Sequence, residues 1–180
     1  MNLIGAVLCS VAAIGASVAL PATASATNAH CVTDYGGDLL VREGSTVCRA
    51  VSDHAGRARA IAIDGTAYAN ATGAGTNTPG GATAIGIGVN GAAAAGDGAG
   101  LPLAIGIGAD SVALTAIAAD PVTSPFALSI ALTGSRASVR TSDNTLNCLG
   151  AAALALDPGD GTLGSGAACL ATPFGSWRTP

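Results

Sequence analysis

Few side chains in this sequence are of types that do acid–base, nucleophilic or metal chemistry, and their spacing argues against it. His30 and His54 are the only histidines. Ser52-Asp53-His54 holds the residue types of a hydrolytic triad, but sequence neighbours cannot reach the geometry of a triad, whose members converge from separate parts of a fold. No G-x-S-x-G elbow accompanies them, and both histidines read as surface residues. The acids Asp64, Asp110, Asp143, Asp157 and Asp160 fall mostly in turns, and Glu43 is the only Glu. Glycoside cleavage needs two carboxylates at a defined separation, which this scatter does not suggest. Gly86-Ile87-Gly88-Val89-Asn90-Gly91 spells a G-x-G-x-x-G string, yet dinucleotide binding requires a helix to begin there, and Asn90-Gly91 is a turn dipeptide. Asp157-Pro158-Gly159-Asp160-Gly161 lacks the alternating oxygen ligands and terminal Glu of a calcium loop and reads as a plain turn. Asn70-Ala71-Thr72 has the form of a glycosylation acceptor and equally that of a strand end. No catalytic, cofactor-binding or metal-binding residue is assigned, and no cofactor is expected.

The cysteines carry a different chemistry. Leu3 to Leu20 is an apolar run followed by Pro21 and the small-x-small triplet Ala24-Ser25-Ala26, which predicts a signal peptide over 1–26 with cleavage after Ala26. An uncleaved membrane anchor is the competing reading of the same run. Removing Cys9 with the leader leaves Cys31, Cys48, Cys148 and Cys169, an even number in an oxidising compartment, where thiols pair. Four cysteines allow three connectivities. Cys31 with Cys48 and Cys148 with Cys169 is favoured, because each pair closes a short loop at one end of the central region. A four-cysteine zinc site would want C-x-x-C spacing, which is absent. The chain is therefore expected outside the cell or at its surface, without membrane attachment once the leader is gone.

Composition narrows the partners. Charged residues make up only 10% of the 180, aromatic residues 3%, and Gly supplies 26 positions; a core of large aromatic side chains is disfavoured. Net charge is -4, all seven cations are Arg, and Arg57 with Arg59 is the densest pair. Without a basic stripe, nucleic acid is not an expected partner.

The elements that must position these residues come from an internal repeat. A small-aliphatic-small-aliphatic pattern returns in Ala60-Ile61-Ala62-Ile63, Ala84-Ile85-Gly86-Ile87, Ala104-Ile105-Gly106-Ile107, Ser129-Ile130-Ala131-Leu132 and Ala153-Leu154-Ala155-Leu156. The first aliphatics are 24, 20, 25 and 24 residues apart. Alternation with period two means strand, and near-constant spacing means one strand per unit of a stack. Turn dipeptides Asp64-Gly65, Asn90-Gly91, Asp110-Ser111 and Gly134-Ser135 follow the first four units, each leading into a second short strand. The expected fold is all-β, a single-domain β-solenoid or β-roll of about four to five rungs, capped by disulfide loops at both ends. Its divisions are 1–26 signal peptide, 27–57 N-terminal disulfide loop, 58–157 repeats and 158–180 C-terminal disulfide tail. An antiparallel sandwich with Asx-Gly hairpins is the alternative. Ile and Leu are expected to fill the interior, so that Ile105→Asp would cost several kcal/mol. The small residues would then pave an outer face suited to self-association.

Ala84-Ile85-Gly86-Ile87-Gly88 and Leu103 through Leu114 resemble the head repeats of trimeric autotransporter adhesins, a likeness that spans roughly residues 58 to 157. It implies a left-handed β-roll and binding to host matrix. The Lys-free, Ala- and Gly-rich design as a whole resembles small secreted actinobacterial proteins of uncharacterised families. These features point to a non-enzymatic surface-interaction or structural module. Its expected partners are a cell-surface or extracellular macromolecule and further copies of the chain. The alternative is a solenoid-type polysaccharide hydrolase or lyase.

Overall fold

The computed structural model describes residues 27–53, 56–72, 80–88, 91–97, 100–117, 126–159 and 166–179. Residues 1–26, where a signal peptide is expected, and His54, Asn90 and Asp160 lie outside them. Fifteen strands appear among the described residues: β1 Asn28–Asp34, β2 Asp38–Glu43, β3 Thr46–Ser52, β4 Arg57–Ile63, β5 Thr66–Thr72, β6 Gly81–Ile87, β7 Gly91–Asp97, β8 Leu101–Ile107, β9 Val112–Ile117, β10 Phe126–Leu132, β11 Arg136–Arg140, β12 Thr145–Leu149, β13 Ala153–Asp157, β14 Ala167–Thr172 and β15 Gly175–Arg178. The only helical piece described is a single turn, Thr141–Asp143.

These strands form two mixed sheets, which we call the first and second sheet. The first runs β1-β4-β6-β8-β10-β13-β14-β15 and the second β12-β11-β9-β7-β5-β3-β2. From β3 to β11 the chain alternates between sheets at every strand, and each strand pairs in parallel with the next but one. The repeat sets the register: Ile61 lies opposite Ile85, Ile85 opposite Ile105, and Ile105 opposite Ile130. Antiparallel strands close both ends, with β1 on β4 and β2 on β3 at one end, and β12 on β11 and β13 on β10 at the other. The turns take the backbone into the left-handed region at Asp64 (φ 49°), Asp110 (φ 61°) and the Thr133-Gly134 pair (φ 47° and 76°). Gly and Asp tolerate that region, whereas at Thr133 it is unfavourable for a β-branched side chain.

The interior corrects one expectation. Ala60, Ala62, Ala84, Ala104, Ser129, Ala131, Ala153 and Ala155 of the first sheet are fully or almost fully buried. They face Cys48, Ala50, Ala67, Ala69, Ala71, Ala113, Thr115 and Val139 of the second. Ile61, Ile63, Ile85, Ile87, Ile105, Ile130, Leu132, Leu154 and Leu156 point the other way and are only half-buried. The reason is spacing. Cys31 on β1 and Cys48 on β3 bridge the two sheets with Cα atoms 5.9 Å apart, and Cys148 on β12 and Cys169 on β14 do so at 6.0 Å. Between these staples, the Thr115 hydroxyl of the second sheet donates to the Leu103 carbonyl of the first at 2.7 Å. Ordinary face-to-face sheets stand about 10 Å apart, with room for large side chains; here a layer made mostly of Ala, Gly, Ser, Thr and Cys fills the gap, with Val139 the largest fully buried side chain described. The small-residue face is therefore the core and is not available as an outer surface.

Candidate interaction surface

With the small residues inside, the outer face of the first sheet carries every large residue of the repeat. Ladder pairing sets them in rows across the strands. The longest begins at His30 and continues through Ile61, Ile85, Ile105, Ile130, Leu154 and Leu170 to Trp177. Beside it run Ile63-Ile87-Ile107-Leu132 and Arg59-Thr83-Leu103-Leu128-Leu156. Along β6, β8, β10 and β13 no charged residue points out of this face. Its rim is open, with Leu101 57% and Trp177 54% exposed.

Polar groups collect at one edge. Asp34, Arg57 and Arg59 flank a groove of about 770 Å³ that has Gly81 and Thr83 along its floor and Leu101, Leu103 and Phe126 on the far side. The Arg57 guanidinium donates to the Tyr35 hydroxyl at 3.2 Å, stands 5.7 Å from the Tyr35 ring centre and lies 3.7 Å from Asp34. The hydrogen bond to Tyr35 is the largest of the effects that raise the Arg57 pKa. The second sheet is different outside. There Arg49 pairs with Asp38 at 2.7 Å and lies over Tyr68, and hydrogen bonds from Arg49 hold the Asp38 carboxyl below its ordinary value. Arg136, Ser138 and Arg140 continue that face along β11, so its outer surface mixes polar and apolar groups.

Among the described residues, those singled out for chemistry do not converge. His30 is exposed on β1. Ser52 is buried and binds Gly37 twice, accepting from its N–H at 3.2 Å and donating its own N–H to the Gly37 carbonyl at 2.8 Å; it closes the β2–β3 hairpin. Asp64 accepts the Thr27 N–H at 2.9 Å. Asp143 accepts the Thr145 hydroxyl at 2.9 Å and faces Arg140. Asp157 is buried at the end of β13 and accepts the Gly159 N–H at 3.0 Å, which makes the Asp157-Pro158-Gly159 segment a turn. Glu43 is exposed at the end of β2. Among the described residues no three His, Cys, Asp or Glu side chains cluster as a metal site. Gly86 lies within β6, and Gly88 (φ 55°) follows directly after its end. Asn70 is half-buried within β5. Two disulfides form among the described residues, Cys31–Cys48 and Cys148–Cys169, the favoured pairing.

Sequence reasoning also overlooked a polar seam in the core. Thr115 shares a hydrogen bond with Ser129 at 2.6 Å while donating to Leu103. At the turns, the Ser111 hydroxyl donates to the Ile107 carbonyl at 2.8 Å and accepts the Gly134 N–H at 3.0 Å, and the Ser135 hydroxyl accepts the Ala152 N–H at 2.9 Å. The signal was present in the repeat: Ser129 replaces Ala at a small position.

A two-sheet, disulfide-bridged chain with no converging reactive groups among its described residues matches one family model, over residues 1–172. The chain belongs to the DUF6764 family. DUF6764 is a family of unknown function, in keeping with the uncharacterised families that the composition resembles. No curated protein and no solved structure matches this DUF6764 chain. Its two disulfides suit an oxidising, extracellular environment, and no helix among the described residues is long and apolar enough to cross a membrane.

Proposed function

We propose that this protein is exported, that it is a disulfide-stapled β-solenoid of four to five rungs, and that it works as a non-enzymatic interaction module through the outer face of the first sheet. The observation that carries this reading is the uninterrupted aliphatic surface across β6, β8, β10 and β13, set on a frame whose acids are dispersed over turns and edges. Contiguous apolar patches of several hundred Å² on soluble proteins mark interaction sites. Alternation between sheets with parallel pairing supports the solenoid, as does the likeness of residues 84–88 and 103–114 to adhesin head repeats. The apolar leader and the paired cysteines support export.

The test sets a glycan and matrix-protein array beside a polysaccharide turnover assay. Binding or assembly without turnover is the expected result. Turnover that disappears on replacing a single Asp would overturn the reading in favour of a polysaccharide hydrolase or lyase.

A further inference from the structure

Taking the outer face of the first sheet as the working surface, an assumption that rests on the reading above, we propose that its occupant is the same face of another copy of this chain.

The area is sufficient. From β4 to β15 the sheet has seven strands about 4.8 Å apart, four of seven residues and three of four to six, which at roughly 3.3 Å per residue give a flat footprint of about 700 Å². Standard stable interfaces bury about 600–1,000 Å² per partner, a range that includes this footprint. The chemistry is self-sufficient as well. The central row Ile61-Ile85-Ile105-Ile130-Leu154 offers no charge and no side-chain hydrogen bond for a different partner to read. An isologous contact needs none, because the same apolar patch on each copy buries the other. Two such faces stacked at the ordinary sheet spacing of about 10 Å would interleave their Ile and Leu layers. This would provide the large-residue core that the thin interior cannot hold.

A lipid surface is the weaker candidate. Apolar faces that lie in membrane interfaces are bordered by Lys and Arg that engage anionic headgroups. This chain has no Lys and a net charge of -4, and of the two cations beside the face, Arg57 is already engaged by Asp34 and Tyr35.

The experiment follows the mass of the oxidised, detergent-free protein by sedimentation over a hundredfold concentration range, with Ile105→Arg on the proposed interface and Leu114→Arg on the second sheet. Wild type is expected at twice the mass of one chain or more, with a Tm that rises with concentration. Ile105→Arg should sediment as one chain, and Leu114→Arg as wild type. Should Ile105→Arg fail to fold, the milder Ile105→Thr keeps the β-branched shape and should weaken association by about tenfold. Emission from Trp177, the only Trp, at the end of the central row, should shift to the blue as the wild type associates. A wild type that stays a single chain throughout overturns the proposal, and if that single chain co-sediments with phosphatidylcholine vesicles the face belongs to lipid. Association unchanged by either Ile105 variant also overturns it. A monomer that binds the array without turnover removes self-association alone, whereas Asp-dependent turnover removes the functional reading beneath it.

Discussion

Ala104 and Ile105 are neighbours with opposite fates, the first fully buried and the second half-buried on the outside. The order of penalties is therefore the reverse of what aliphatic size suggests. Ala104→Leu pushes a branched side chain into the thin layer between sheets and is expected to cost about 1–3 kcal/mol or more from overpacking, read by denaturant unfolding. Ile105→Asp in a single chain should cost far less than the several kcal/mol expected of an interior position. Alternation made it legible that Ile61 and Ile63 share a face, since period two dictates that much. Which face was interior was also written there: Arg57 and Arg59 stand four and two residues before Ile61 and share its parity, and a charged pair on that parity places the side outside. Cys48 is likewise on the parity of Ala50, as an inter-sheet bridge requires. The usual association of large aliphatics with the core hid both signals. Thr115 is the other residue whose role is local: Thr115→Val keeps the shape but removes the donor to Leu103 and leaves the Ser129 hydroxyl without its partner. The expected cost is about 1–3 kcal/mol for the buried polar group left unpaired, measured in the same unfolding series.

Among the elements, the end strands deserve as much weight as the repeats. A parallel stack exposes unpaired backbone at each end, and here antiparallel strands cover those edges: β1 and β2 at one end, β12 and the β13-β14-β15 meander at the other. Charge reinforces the cover, with Asp38, Arg42 and Glu43 on β2, a common device against edge-to-edge pairing. The disulfides tie these covers across the sheets, with partners 17 and 21 residues apart. Replacing Cys148 and Cys169 together by Ala should lower stability by about 3 kcal/mol on the chain-entropy account, and hydrogen exchange should show β14 and β15 opening before β6 and β8. The favoured cysteine pairing followed from short loops. The meander that the second bridge anchors was not legible, because β14 and β15 carry no copy of the repeat.

For the whole molecule, a core made mostly of Ala, Gly, Ser and Thr, with few larger members such as Ile117, Val139 and Leu146 among the described residues, means that most buried side chains contribute little; a buried methylene is worth about 0.8 kcal/mol, and Ala offers a single methyl. Stability then leans on ladder hydrogen bonds, the two bridges and whatever covers the outer aliphatic rows. The all-β class and the repeat positions were readable from spacing alone, and the inner face only from the parity of Arg57, Arg59 and Cys48; how closely the two sheets approach was not readable, because no local pattern encodes that distance.

The identical register of successive parallel strands makes the length of this protein adjustable in whole increments. Gly81 stands to Leu101 as Arg57 stands to Gly81 along the ladder, so excising residues 81–100 would seat β8 directly on β4 with each side chain on its original side. Such a shortened chain is expected to fold with both disulfides intact and to lose about 4.8 Å along the stacking direction, measurable by small-angle scattering.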